Sequence, residues 1–325
     1  MREKTYREAL REAMREEMRR DESVFLMGED IAHFGGAYKV TLGLSDEFGK
    51  KRVLDTPLAE AGIMGAAIGA AIIGMRPVAE IMYIDFSTIA SDLLINLAAK
   101  FRFMSAGTFK LPLVVRTQGG GGVSAGPQHS QSLEAIYAHI PGLMVVMPST
   151  PYDAKGLLKS SIREDNPVVF IEHKGLYGMK GPVPEEEYLI PLGKADIKRQ
   201  GRDITVVTYS RSAIHTMEAA SFLEKEGISL EVIDPMTLKP LDEETILESV
   251  QKTGKLMIVH EAHKTGGFGA EIAALVSEKA IDCLDAPVRR IAALDVPIPF
   301  GLKMEGFVLP NVEDVVAGAR DLAKW

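Results

Sequence analysis

Short apolar runs alternate with helical stretches along the whole chain, and this alternation limits the fold more than any other feature. The first six runs are VFLMG (24–28), RVLDT (52–56), RPVAEIMY (76–83), LPLVVRT (111–117), LMVVMP (143–148) and PVVFIEH (167–173). They are nearly continuous in apolar character, as expected of strands that are covered on both faces. Helices are predicted between most of them, at 57–75, 86–104, 130–139 and 151–164. This order predicts a mainly parallel sheet with helices on both sides.

The same pattern restarts in the second part of the chain. Residues 178–195, GMKGPVPEEEYLIPLGKA, have three prolines and no helical period, which predicts a linker. Strands are then predicted at 203–210, 229–235, 255–262 and 289–294, and helices near 212–226, 242–253, 268–281 and 311–324. We therefore predict two consecutive three-layer α/β domains, with bounds 1–190 and 191–325.

Charge and composition exclude several classes of protein. The formal net charge of −8 and the lack of a basic run argue against a nucleic-acid partner. The single cysteine, Cys283, excludes an intrachain disulfide and fits a reducing cytoplasm. Residues 61–75 are too short and too rich in Gly and Ala to span a bilayer, and acids among residues 1–22 argue against a transit peptide. We expect a soluble cytoplasmic protein without a membrane partner.

Two motifs suggest other chemistry but lack the context that this chemistry needs. GVSAG (122–126) matches the nucleophile elbow of serine hydrolases, yet the predicted strand ends six residues before Val123 and Pro127 follows. HEAH (260–263) has its histidines three apart, whereas the zinc motif needs four. A serine hydrolase and a non-catalytic α/β binding or scaffold subunit remain as alternative hypotheses.

The stretch TPLAEAGIMGAAIGAAIIGM (56–75) contains one charged residue, Glu60. Thr56 is predicted as the N-cap and Pro57 as the first helical residue, which places Glu60 in the first turn. The near absence of charge predicts a buried helix, and glycines spaced three and four apart give it a flat face for close packing. Glu60 either answers the helix dipole or is a partly desolvated acid with a function.

Four longer segments together resemble one known family. They are FLMGEDI with GGAYKVT, RVLDTPLAEAGIMGAAIGAAIIGMRPVAEI, GPQHSQSLEAIYAHIPGLMVVMPSTPYDAKGLL and NPVVFIEHKGLYG. The chain resembles, nearly end to end, the beta subunit of the thiamin-diphosphate-dependent first component of 2-oxo acid dehydrogenase complexes. Within this family, its sequence most resembles those of the acetoin and pyruvate dehydrogenase branches. The fold implied is a transketolase-like pyrimidine-binding domain followed by a transketolase C-terminal-like domain.

The resemblance implies roles for five side chains. Glu60 matches the glutamate that bonds the pyrimidine ring nitrogen of thiamin diphosphate and promotes its imino tautomer. Phe86 matches the aromatic residue that packs against the aminopyrimidine. His129 matches the histidine that bonds oxygens of substrate or intermediate. Glu29, beside the cofactor, and Asp92 match acids of a proton passage between two active sites.

The resemblance also implies partners, because the chain has no G-D-G…N motif for Mg²⁺ and diphosphate. An alpha subunit is expected to supply both, in a heterotetramer of two alpha and two beta chains with beta–beta contacts at 62–74. The second domain is expected to serve assembly and docking of the lipoyl-bearing acyltransferase component. A K⁺ site is implied at backbone carbonyls of Leu113, Ser161, Ile162, Glu164 and Asn166. The substrate, a 2-oxo acid or acetoin, stays open.

Overall fold

The computed structural model describes residues 1–325. The chain forms two compact units, the first of Met1–Gly119 and Ile136–Leu192, the second of Gly120–Ala135 and Gly193–Trp325. Both are α/β, so the predicted fold class is confirmed.

The first unit contains strands β1 to β8. They are β1 (Arg2–Thr5), β2 (Val24–Gly28), β3 (Val53–Asp55), β4 (Arg76–Ile81), β5 (Val114–Gly119), β6 (Met144–Val146), β7 (Val168–His173) and β8 (Lys180–Val183). Parallel pairing gives the order β6–β7–β5–β4–β2–β3, and β1 pairs antiparallel with β8. Both β5 and β7 are buried along their whole length, which explains their continuous apolar runs.

Helices of several kinds connect these strands. They are α1 (Tyr6–Arg20), α2 (Leu44–Phe48), α3 (Glu60–Ile72), 3-10 turns Ile84–Thr88 and Lys174–Leu176, a π-helix Leu93–Ala98, α4 (Ala99–Met104), α5 (Glu134–Ala138) and α6 (Pro151–Arg163). The first helix begins with a capping box between Thr5 and Glu8, as its sequence predicts. Its buried acids face α6, where Lys155 is fully buried and donates to Glu12 and Glu16. Pairing of these charges allows the two helices to pack closely.

The second unit repeats the architecture with its own sheet. Its elements are β9 (Asp196–Arg199), β10 (Ile204–Thr208), α7 (Arg211–Glu224), β11 (Leu230–Asp234), β12 (Thr237–Lys239), α8 (Glu243–Thr253), β13 (Leu256–His263), α9 (Gly269–Lys279), a 3-10 turn Ile281–Cys283, β14 (Arg289–Ala293), α10 (Leu302–Val308) and α11 (Val312–Leu322). Strand order is β14–β13–β10–β11–β9, and only β9 runs antiparallel in it. Apolar residues of β10, β11 and β13 pack with α7 and α11 in one core.

The predicted start of α3 is wrong. The helix begins at Glu60, and Ala59 occupies the N-cap position without a side-chain cap. The N–H of Thr56 instead donates to the carbonyl of Gly28 at 2.9 Å, so Thr56 prolongs the pairing of β2 with β3 and winding starts later.

The burial predicted for α3 is also only half correct. Ile63, Met64, Ala67, Ile68 and Ala71 are buried, whereas Gly62, Gly65 and Gly69 are exposed on the other face. Two further predictions need correction. The helix predicted over 86–104 is divided into 3-10, π and α segments, and the linker predicted over 178–195 contains β8.

Candidate active site

Three of the predicted site residues follow neighbouring strands of the first unit. Glu29 comes directly after β2, Glu60 opens α3 after β3, and Phe86 lies in the 3-10 turn after β4. Because β3, β2 and β4 are adjacent and parallel, these residues share the carboxyl edge of the sheet. Ligands of open α/β sheets bind at this edge.

Glu29 is a buried carboxyl without a hydrogen-bond partner. Glu29 is only 4% exposed, and neither of its carboxyl oxygens forms a hydrogen bond. Burial, as the largest cause, and the negative charges of Glu60, Asp30 and Glu80 together raise the pKa of Glu29 to about 7. An orphaned carboxyl that exchanges its proton near neutral pH is typical of a functional site.

Glu60 is half-buried at the first position of α3, and its carboxylate forms no hydrogen bond or ion pair within the chain. Its charge acts on Glu29, so the two carboxyl groups form one acidic cluster. The carboxylate of Glu60 lies at the N-terminal end of α3, whereas the carboxyl of Glu29 is buried. An unpaired carboxylate beside a carboxyl whose pKa is raised can accept a hydrogen bond from a ring N–H of a ligand.

The side chain of Phe86 is half-buried in the turn Ile84–Thr88. Asp92 is exposed, and its Oδ1 accepts a hydrogen bond from Asn96 at 2.7 Å. Asp92 precedes the π-helix, whose Leu93 is the neighbour nearest to Gly65 of α3. The π-helix that follows Asp92 therefore lies beside α3, and Asp92 itself is an exposed residue bonded to Asn96.

A buried ionic network beside Glu29 was missed in the sequence. Arg116 on β5 is 1% exposed and bonds Glu172 on β7 through two nitrogens, at 2.6 and 2.8 Å. Its third contact is to Glu80 on β4 at 2.6 Å, and Gln118 donates to the same carboxylate. Burial alone would lower the pKa of Arg116, but the two carboxylates raise it above its ordinary value. The signal was available, since each of these three charged residues lies within an otherwise mainly apolar run.

His129 belongs to the segment Gly120–Ala135 of the second unit. It is half-buried, and its N–H donates to the carbonyl of Gly126 at 3.2 Å. Ser124 in the same loop has a left-handed backbone with φ of 57°. The preceding strand ends at Gly119 and the next helix begins at Glu134, so the succession of strand, turn and helix required for a nucleophile elbow is absent.

Four of the five carbonyls expected to bind a monovalent cation accept hydrogen bonds from donors of the chain. The Nη1 atom of Arg76 donates to the carbonyls of Ile162 and Glu164, each at 3.0 Å. The carbonyls of Leu113 and Ser161 accept backbone N–H groups at 2.8 and 3.3 Å. A positive charge is therefore already present at two of the five expected oxygens, and each of these carbonyls retains a second lone pair.

No group of three or more His, Cys, Asp or Glu side chains is placed to hold a metal ion. The histidines of HEAH lie on β13, and His260 is fully buried with both ring nitrogens unbonded. No helix of the structure combines the length and apolar character that crossing a membrane requires.

Comparisons with known proteins identify the families of the two parts of the chain. Residues 2–180 match the family described as transketolase, pyrimidine binding domain, and residues 193–315 match transketolase, C-terminal domain. A solved structure described as a split-gene transketolase in an inactive beta4 tetramer has a TM-score of 0.79 at 24% identity, covering 98% of each chain. Fold and site thus define the class: a pair of transketolase-type domains with an acidic site in the first.

Proteins of similar sequence identify the family within this class. The 2-oxoisovalerate dehydrogenase subunit beta of Bacillus subtilis (strain 168) is 49% identical over 99% of this chain and 99% of its own length. The acetoin:2,6-dichlorophenolindophenol oxidoreductase subunit beta of that strain is 47% identical, covering 93% and 92%. The pyruvate dehydrogenase E1 component subunit beta of Rickettsia felis is 48% identical, covering 99% and 98%.

The chain belongs to the family of E1 beta subunits of thiamin-diphosphate-dependent 2-oxo acid and acetoin dehydrogenases. The resemblance seen in the sequence is confirmed. Neither the serine hydrolase nor the scaffold hypothesis is supported by these relatives.

Proposed function

We propose that this chain is the beta half of a dehydrogenase that cleaves a 2-oxo acid or acetoin and transfers the acyl group to a lipoyl-bearing acyltransferase. It would act only with an alpha subunit that carries the G-D-G…N motif, in a heterotetramer of two alpha and two beta chains. When bound, thiamin diphosphate supplies the electron sink for bond cleavage. The observation that carries the proposal is the half-buried, unpaired carboxylate of Glu60 next to the orphaned carboxyl of Glu29.

Glu60 would accept a hydrogen bond from the pyrimidine ring and so hold a proton at its ring nitrogen. The unpaired state of this carboxylate and its place at the edge of the sheet support the role. Glu29, with a pKa raised to about 7, would store the proton that Glu60 exchanges. Phe86 would pack against the pyrimidine face, since its ring is only half-buried by the chain itself.

His129 would donate to oxygens of the substrate, and Asp92 would continue a proton passage from Glu29. Both are accessible enough to meet a ligand or partner chain. Residues 1–190 would form the pyrimidine-binding domain, and residues 191–325 would serve assembly and docking. The alpha subunit would hold Mg²⁺ and the diphosphate, and the exposed small face of α3 would contact a second beta chain. The cytoplasm would suit the single thiol, Cys283.

The implied K⁺ would have to share the carbonyl oxygens of Ile162 and Glu164 with Arg76. We include this ion in the proposal because each oxygen can accept two interactions. The carbonyls of Leu113, Ser161 and Asn166 would complete its ligands.

The experiment compares Glu60→Gln with Glu22→Gln in the chain assembled with its alpha partner. Glu22 is an exposed acid of the same unit. Turnover of pyruvate, branched-chain 2-oxo acids and acetoin is measured with 2,6-dichlorophenolindophenol as electron acceptor. We expect Glu60→Gln to lower kcat by about 10²–10⁴-fold, the range for a lost proton-transfer group. Undiminished turnover in a folded, assembled Glu60→Gln variant would refute the proposal, and the preferred substrate identifies the branch.

A further inference from the structure

The loop before His129 has an unusual, left-handed backbone conformation at several residues. In the sequence GGGGVSAG, residues Gly120, Gly122, Ser124 and Gly126 all have φ between 57° and 83°. Glycine-rich chain in left-handed conformations loses much entropy on ordering and has no helix or strand bonds to offset it. Anchors from elsewhere must therefore fix this loop.

The main anchor is Glu305 on α10. Its Oε1 accepts the N–H of Gly122 at 3.2 Å, and its Oε2 accepts the N–H of Ser124 at 2.9 Å. The residue is 1% exposed, and the structure records no ion pair for it. Backbone N–H groups near left-handed residues form concave nests that bind anions. The loop forms such a nest, and the carboxylate of Glu305 fills it.

Two more side chains hold the neighbouring residue of the loop. Glu261, on β13, accepts the N–H of Gly121 at 2.6 Å, and Arg211 donates to the carbonyl of Gly121 at 3.1 Å. The loop is also pressed against side chains. A methyl group on Gly121 would lie 2.8 Å from Leu309, and one on Gly126 would clash with the ring of Phe300.

The anchored part is joined to His129 by short backbone bonds. The N–H of His129 donates to the carbonyl of Gly126, and the N–H of Gly120 donates to the carbonyl of Gln131 at 3.0 Å. These bonds close the segment at both ends. Displacing Gly122 and Ser124 from Glu305 would therefore shift the backbone that carries the imidazole.

We propose that Glu305 is a positioning residue for His129, because its buried carboxylate holds the glycine-rich loop in the conformation that presents this histidine. The inference rests on the proposed function, in which His129 bonds substrate oxygens. Glu305 itself touches neither substrate nor cofactor in this proposal. It acts through the backbone of the loop.

The test uses Glu305→Gln in the chain assembled with its alpha partner, with Glu278→Gln on the exposed side of α9 as the matched control. A glutamine keeps the shape but offers one acceptor oxygen for two N–H groups, so its NH₂ group faces one of the two donors and that bond is lost. We expect about tenfold faster hydrogen exchange at Gly122 and Ser124. We expect kcat to fall about 10- to 100-fold, as misplacement by roughly 1 Å does. Thiamin diphosphate should bind unchanged.

A double-mutant cycle separates positioning from general weakening of the fold. If Glu305 acts through His129, the double variant Glu305→Gln, His129→Ala is as slow as His129→Ala alone. Losses that multiply, or a kcat for Glu305→Gln equal to that of the control, overturn the inference while the proposed function stands. Full activity of His129→Ala overturns the role of His129 and the inference with it.

Glu305→Asp is a second variant for the case in which Glu305→Gln does not assemble, because it keeps the buried charge and only shortens the side chain. The shorter carboxylate should lose contact with the N–H of Gly122 or of Ser124, so exchange there should speed up and kcat should fall in the same non-additive way. Exchange and kcat equal to those of the control in this variant overturn the inference.

Discussion

The negative charge of Glu60 acts on the buried carboxyl of Glu29 and helps to raise its pKa to about 7. Burial is the larger cause, and it leaves both oxygens of Glu29 without a partner. Glu60 is only half-buried at the first position of α3, so the two acids differ in exposure. The proposed role of Glu60 as acceptor and of Glu29 as proton store follows from this difference.

Glu29 should make the chain less stable as the pH rises. Its pKa is raised in the folded chain, so between pH about 4.5 and 7 the folded state binds more protons than the unfolded state. The free energy of unfolding then falls with rising pH, by about 1.4 kcal/mol for each unit of pKa shift. Glu29→Gln should flatten this decline in urea unfolding measured from pH 5 to 7.5. The same slope in Glu29→Gln and Glu22→Gln would contradict the expectation.

Replacing Arg116 with Met should destabilise the chain by about 3–5 kcal/mol, because Glu80 and Glu172 would lose their buried partner. The control is Arg202→Met, since the side chain of Arg202 is 82% exposed and its contact with Asp203 spans 3.7 Å. Urea unfolding at pH 7 measures both. Equal losses in the two variants would show that the network contributes no more than a surface charge.

Two glycines with positive φ should respond differently to alanine. Gly107 has φ of 79° and open space around it, so Gly107→Ala should cost only the strain of about 1–2 kcal/mol. Gly142 has φ of 98°, and an added methyl group would clash with the carbonyl of Ala99. Gly142→Ala should cost about 1–3 kcal/mol more than that. The measurement is the free energy of unfolding of Gly107→Ala and of Gly142→Ala. Equal losses would mean that the backbone near Ala99 moves to accommodate the added methyl group.

K⁺ should stabilise the chain if it binds the carbonyl oxygens that also accept hydrogen bonds from Arg76. At ten times its Kd, an ion bound only to the folded state adds about 1.4 kcal/mol. Thermal unfolding in KCl should then occur at higher temperature than in choline chloride of equal ionic strength. Arg76→Met should enlarge the difference, because the carbonyls of Ile162 and Glu164 lose their donor. Identical unfolding temperatures in the two salts would leave the guanidinium as the only cation at this site.

A larger side chain on the exposed, glycine-containing face of α3 should disrupt assembly of the tetramer without affecting folding. Gly69 is exposed, and a methyl group added to it meets no atom within 4 Å, so Gly69→Leu should leave the unfolding free energy nearly unchanged. Sedimentation with the alpha partner should show loss of the tetramer. The control is Ala274→Leu, an exposed position on α9. A normal tetramer of Gly69→Leu would remove this face from the proposed interface.

The sequence predicts the strands well because each buried strand is a continuous apolar run. Strand β2 was placed at its exact bounds, and the core strands of the second unit fall within two residues. The start of α3 was missed because the bond from Thr56 to Gly28 joins residues far apart in sequence. Local capping preference favoured Thr56, and strand pairing overrode it.

Site residues divide in a similar way. Glu60 was predicted because it is the single charge in a long apolar segment, and a related signal, a charge inside a mainly apolar strand, marks Arg116, Glu80 and Glu172. Glu305 lies in the short helix α10, and its sequence surroundings do not set it apart. Its part in holding Gly122 and Ser124 becomes visible only when residues nearly two hundred positions apart are brought together.

The most direct measurement is a crystal structure of the assembled alpha and beta chains with thiamin diphosphate. The proposal predicts a Glu60 carboxylate oxygen within about 2.6–3.2 Å of a pyrimidine ring nitrogen, a hydrogen-bond distance. A Glu60 side chain that extends into solvent, with the pyrimidine bound elsewhere, would contradict it.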